Sequence, residues 1–104
     1  MRRRIRVYLY NRTVKEIDMS DFSYISDEVF ANRNDIVKIV LPEGVKEIGP
    51  NAFESCVNLV EVVCPKSLNK IDEEAFIDCI NLKTIDYGPN VSVASTAFQG
   101  CYNL

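Results

Sequence analysis

The chain has 104 residues, 47% hydrophobic and 26% charged, with a net charge of −3 and no histidine. That length holds one domain with a modest core and excludes two ordinary ones. No run approaches the roughly 18 apolar residues of a membrane span, and without histidine the usual general base and the Ser-His and Cys-His dyads are missing, so an enzyme is not expected.

The start, Met1 to Arg4, has the charge of a secretory n-region. Ile5 to Tyr10 then alternates apolar and polar residues, whereas an export signal needs roughly 7–15 continuous apolar ones. With Met1 as the native start the expected location is cytoplasmic; a surface location would follow only for a piece of a longer exported protein. Residues 1–15 hold six of the twelve bases (Arg2, Arg3, Arg4, Arg6, Arg12, Lys15) and no acid, so the remainder carries a net −9. A basic tip on an acidic body can steer a partner or simply blunt an exposed end strand.

Ile5, Val7 and Leu9 alternate with Arg6, Tyr8 and Tyr10, which predicts a strand; Asn11-Arg12 predicts a tight turn, and residues 14–17 a second strand. That second strand also matches the repeat described next, with Val14 in the slot of Ile36 and Ile17 in that of Ile39. Residues 22–25 would be its returning stretch. Residues 1–24 therefore read as a β-hairpin cap with an incomplete first coil.

A period of about 23 residues fills the rest. Ile48 to Leu59 contains Ala52-Phe53, Cys56 and Asn58-Leu59; Ile71 to Leu82 repeats them as Ala75-Phe76, Cys79 and Asn81-Leu82. Val93 to Leu104 gives Ala97-Phe98, Cys101 and Asn103-Leu104, and Ile25 to Ile36 is a diverged copy with Phe30 and with Arg33 in the cysteine slot. Between these blocks Ile36-Ile39-Leu41, Leu59-Val62-Cys64 and Leu82-Ile85-Tyr87 keep apolar residues at i, i+3 and i+5. Such a run suits a strand with one buried face, ended by Pro42 and Pro65. Short returning stretches follow at 45–48 and 68–71. The Ala-Phe blocks predict one or two helical turns, with Pro50 at a first helical position and Asp27, Glu28, Glu73 and Glu74 complementing the helix dipole. The boundaries are 25–47, 48–70 and 71–92 for whole repeats and 93–104 for a partial one.

The Ala-Phe, Cys and Leu slots over residues 25–104 resemble the BspA-like (LRR_5-type) leucine-rich repeats, with their AFxxCxxLxxIxLP-like string. The resemblance implies an α/β solenoid: a right-handed stack of coils with short parallel strands and short helical turns. Its members are often long surface proteins that mediate adhesion or other protein contacts. It implies no cofactor.

Cys56, Cys79 and Cys101 share one slot, while Cys64 takes the inward slot of Leu41 and Tyr87. A row along the solenoid is not the set of close pairs that converges on zinc, so buried structural thiols are expected. Asn58, Asn81 and Asn103 read as amides that bond turn backbone. Two glycosylation sequons (Asn11 to Thr13, Asn90 to Ser92) carry little weight without an export signal. The acidic body, with no stacking aromatics on a basic groove, speaks against nucleic acid.

A solenoid exposes its strand ladder as a continuous surface. The outward positions are Glu16 and Asp18, Lys38 and Val40, Glu61 and Val63, and Thr84 and Asp86. Glu16, Lys38 and Glu61 are expected as one alternating charge row. Val40 and Val63 form an apolar centre with Asp18 and Asp86 at its flanks. A protein partner would use this face, with the basic tip (Arg2, Arg3, Arg4, Arg6) as an accessory, and the apolar C-terminal coil would suit a second copy. Two other roles fit the same chain: a small intracellular inhibitor of phage or mobile-element type blocking a nuclease or nucleoprotein, and a fragment of a surface adhesin.

Overall fold

The computed structural model describes residues 4–18, 23–27 and 29–104; Arg2, Arg3 and Glu28, named above, and the first residue of the 22–25 stretch lie outside them. Each run with apolar residues at i, i+3 and i+5 forms a short strand: β4 (Ile36–Val40), β6 (Glu61–Val63) and β8 (Thr84–Asp86). The returning stretches give β3 (Tyr24–Ile25), β5 (Glu47–Ile48), β7 (Lys70–Ile71) and β9 (Ser92–Val93). Successive coils pair in parallel, Ile39 on Val62 and Val62 on Ile85 on one side, Ile25 on Ile48 and Ile48 on Ile71 on the other. Two facing sheets result, and Ile36, Ile39, Ile48, Leu59, Ile71 and Leu82 are wholly buried in the core.

The N-terminus forms the expected hairpin, β1 (Arg4–Leu9) and β2 (Val14–Asp18), turning at Arg12, whose φ is 70°. Its place in the sheet corrects one expectation. The strand order is β2-β1-β4-β6-β8, with β1 antiparallel to β4, so β2 is an outer edge and not an incomplete first coil. Val14 lies opposite Tyr8 and Ile17 opposite Ile5, far from the slots of Ile36 and Ile39. They are 47% and 41% exposed. The physical reason is in the composition of the two strands. β1 turns three alternating apolar residues inward, Ile5, Val7 and Leu9, all buried, whereas on β2 the residues opposite Ile5 and Val7 are Ile17 and Lys15, so β1 has the more apolar face to set against the core.

A second correction concerns the Ala-Phe blocks, which are chains of turns; none of the described residues is helical. The hydrogen bonds explain why. Ala52, Glu54 and Cys56 each donate to the carbonyl three residues back, while the intervening Asn51, Phe53 and Ser55 donate to Glu73, Ala75 and Ile77 of the next coil. Every second N–H is thus committed between coils and cannot close a helical ring. The left-handed backbone at Asn32, Ser55, Asp78 and Gly100, two residues after each Phe, and at Asn51 and Glu74, two before, breaks any helical run. Asn, Asp and Gly tolerate that region best. Pro50 and Glu73 accordingly sit in turns, and Glu74 donates its N–H to Thr96 Oγ1 at 3.2 Å.

The turns stack Phe30, Phe53, Phe76 and Phe98 as parallel rings 5.1, 5.0 and 5.4 Å apart, and Tyr87 lies 6.2 Å from the last. Beside them Ala52, Ala75 and Ala97 are fully buried, while the same slot of the first copy holds Val29, 53% exposed. Phe76→Ala should cost ~3–5 kcal/mol, a large fraction of the ~5–15 kcal/mol that holds a domain of this size. Phe98→Ala, at a half-buried ring, should cost visibly less. Urea unfolding of both variants checks this, and equal midpoints would contradict the column as a major source of stability.

Candidate interaction surface

The outward face of the five-stranded sheet is built from two complete rows. Val14, Tyr8, Lys38, Glu61 and Thr84 share one, and Glu16, Arg6, Val40, Val63 and Asp86 the other. Asp18 and Arg4 begin a third. The charge row of Glu16, Lys38 and Glu61 is therefore corrected: β1 intervenes, and Glu16 falls in register with Arg6 and Val40. Asp18 likewise does not flank the valine pair, since Arg4 stands opposite it. Lys38–Glu61 and Val40–Val63 are direct neighbours, with Thr84 and Asp86 next in line.

The first row is largely satisfied within itself. Lys38 Nζ is 3.5 Å from Glu61 Oε1 and 5.2 Å from the Tyr8 ring centroid. These contacts are half exposed and each contributes a fraction of a kcal/mol, ~0.2–1. In the second row Arg4 reaches over to Glu16 at 3.5 Å, while among the described residues Arg6 and Asp86 enter no ion pair. Between them lie Val40, half-buried, and Val63, 37% exposed. An open groove of about 550 Å³ runs beside Val40, lined by Arg4, Arg6, Glu16, Leu41 and Pro42.

The cysteine and asparagine slots are structural. Cys56, Cys79 and Cys101 donate their thiols to the carbonyls of Phe30, Phe53 and Phe76 at 3.0–3.1 Å. Cys79, between Cys101 and Cys56 and buried, is held far above an ordinary thiol pKa; burial pushes Cys64 up to about 12. Neither offers the thiolate that reactivity needs. All four are free, and among the described residues no three His, Cys, Asp or Glu side chains are placed to hold a metal ion. The amides of Asn58, Asn81 and Asn103 donate to Asn34, Val57 and Ile80 of the preceding coil at 2.7–2.8 Å.

Three features escaped the sequence reading. Arg33 and Asp35 stand in the Cys and Asn slots of the first copy and form a two-point ion pair, both bonds 2.8 Å; Arg33 holds the Asp35 carboxyl below the usual range. Where the other copies bond the coil before them, these two bond each other, a pairing legible in the simultaneous departure of both slots. The residue after each cysteine, Val57, Ile80 and Tyr102, forms a second apolar line on the surface, half-buried at Val57, exposed at Ile80 and 84% exposed at Tyr102. Alignment of that position alone would have found it.

The third is Asp72. Its slot holds Ser26, Gly49 and Ala94 in the other coils, and Gly49 tolerates no Cβ, which would meet Tyr24 Oη at 2.5 Å. Asp72 is 9% exposed, pairs Oδ1 with Lys70 Nζ at 3.1 Å, and leaves Oδ2 buried without a hydrogen bond. The neighbouring Glu47 carboxyl is held above its usual range, first by hydrogen bonding to Asp72, then by burial. Two adjacent carboxylates resist sharing a site fully ionised, which favours the protonated form of Glu47 beside Asp72.

A β-solenoid of about three turns with parallel strands is a repeat-protein scaffold, and the family follows. The BspA-type leucine-rich repeat region matches residues 4–104 in six copies, and the chain belongs to that family. The match begins at Arg4, the first residue of β1, well ahead of the repeat blocks that start at Ile25. No curated protein and no solved structure matches the chain. Repeats of this family are typically non-enzymatic and suggest a protein-interaction module.

A raised folded-state pKa at Glu47 stabilises the fold fully below the unfolded value near 4.5 and loses that contribution as pH rises through the folded value. Wild type should therefore lose stability relative to Glu47→Gln as pH is raised above about 4.5, because the amide keeps a donor for Asp72. Thermal midpoints of both proteins across pH 4–8 test this; parallel curves would refute it.

Proposed function

We propose that this chain is a protein-interaction module that captures its partner on the outward face of the five-stranded sheet, centred on Val40 and Val63. The observation that carries the reading is an apolar pair, Val40 and Val63, flanked in its row by Arg6 and Asp86, two charged side chains that enter no ion pair among the described residues. Interfaces concentrate apolar contacts at a core and polar groups at a rim. The adjoining row, already paired through Lys38 and Glu61, supports docking without demanding new partners for buried charges. Glu16, Thr84 and Arg4 complete the rim, and Asp18 lies beyond it on the edge strand.

Size bounds the reading. A standard interface uses about 20–30 residues a side, and five short strands supply fewer, so the face favours a slender element over a whole globular domain. Val63→Asp should reduce capture of the partner from native lysate at least about tenfold, ~1.4 kcal/mol, with the fold intact by circular dichroism. Ile80→Asp, on the second apolar line, should leave capture unchanged. The opposite pattern would move the site to the line of Val57, Ile80 and Tyr102.

A further inference from the structure

Resting on that reading, we propose that the occupant of the strand face is an amphipathic helix lying along the row Arg6, Val40, Val63 and Asp86, with an acid over Arg6 and a base over Asp86. The row crosses four strands in successive register, and neighbouring strands stand ~4.8 Å apart, so its ends are about 14 Å apart. Residues on one helix face at i, i+3, i+7 and i+10 span about 15 Å at ~1.5 Å per residue. The four positions therefore meet the four side chains one to one. An extended segment does not fit: its same-face residues recur every ~6.7 Å, and three such steps overshoot the row by about 6 Å.

Charge selects the occupant further. Among the described residues, Arg6 and Asp86, which flank the valine pair, are exposed and enter no ion pair, whereas Glu16 beyond Arg6 is paired with Arg4, and Lys38 and Glu61 neutralise each other at 3.5 Å. The groove beside Arg6 also holds Arg4, itself paired with Glu16, so the local excess there is one positive charge. The opposite end offers a carboxylate. A helix carrying one acid and one base at a ten-residue separation complements both ends, and two apolar residues between them cover Val40 and Val63. Its direction is left free, because the i, i+3, i+7, i+10 pattern reads the same from either end.

The probes are three alanine-based helical peptides of about 20 residues, long enough to be helical alone, with Leu at i+3 and i+7. They carry Glu and Arg, two Glu, or two Arg at i and i+10. Wild type should bind the Glu/Arg peptide about tenfold more tightly than either like-charged one, as expected where a like charge meets a like charge. Arg6→Glu, an exposed position whose variant is checked for folding by urea, should instead prefer the Arg/Arg peptide, and Val63→Asp should weaken all three. An unchanged order of affinities in Arg6→Glu would overturn the proposal, as would no binding of any peptide at millimolar concentration. If no peptide binds while lysate capture still depends on Val63, the helix is refuted and the strand face stands; if capture is indifferent to Val63 as well, both fail.

Discussion

Backbone hydrogen bonds between coils govern this molecule. Phe53 N–H reaches Ala75, Ser55 reaches Ile77, Gly49 donates to Ile25 and Asp72 to Ile48, so each coil is held at one fixed offset from the next. A side chain at any slot must then lie on its counterpart. Where the slot is apolar, stacking multiplies the gain: four phenylalanines form one column, and the apolar area each buries is what opposes the entropy of ordering a chain with so little regular structure. Where the slot is polar, stacking demands a donor for every acceptor, and the Cys and Asn side chains meet it with the carbonyls of the coil before.

The same constraint explains what happens where a neighbour is missing or wrong. In the first coil Arg33 and Asp35 occupy the Cys and Asn slots and satisfy each other. Asp72, in a slot otherwise kept small, is only half satisfied by Lys70, which leaves Oδ2 without a partner, and the Glu47 carboxyl on the adjacent strand is held above its usual range. A departure from the repeat is thus either compensated within its own coil or felt by the next one.

Much of this was legible in the residues. The 23-residue spacing of Phe30, Phe53 and Phe76, and the inward alternation of Ile39 and Leu41, lead directly to the stacked coils and to Val40 beside Val63. What was not legible depended on choices between near-equal local options. Ala-Phe blocks preceded by acids look like helix starts, and only the diversion of every second N–H to another coil decides for turns. Val14 and Ile17 match the repeat strand by residue type, yet β1, with Ile5, Val7 and Leu9 all on one face, takes the place against the core. That one exchange of β1 for β2 also rearranged the surface, bringing Arg6 beside Val40 where Glu16 was expected to border Lys38.

The hairpin has a consequence for how such a face can change. Each coil spends some 23 residues on one strand of the ladder, whereas the hairpin adds two from residues 4–18. Its outer strand is exposed at all five positions and, among the described residues, has no stacked counterpart in the second sheet, whose order ends at β3. Substitutions there meet almost no packing constraint, while any change in Lys38 or Val63 is made on a strand whose next residue is in the core. Variation in what the face recognises can accumulate on this rim strand while the ladder behind it stays constant.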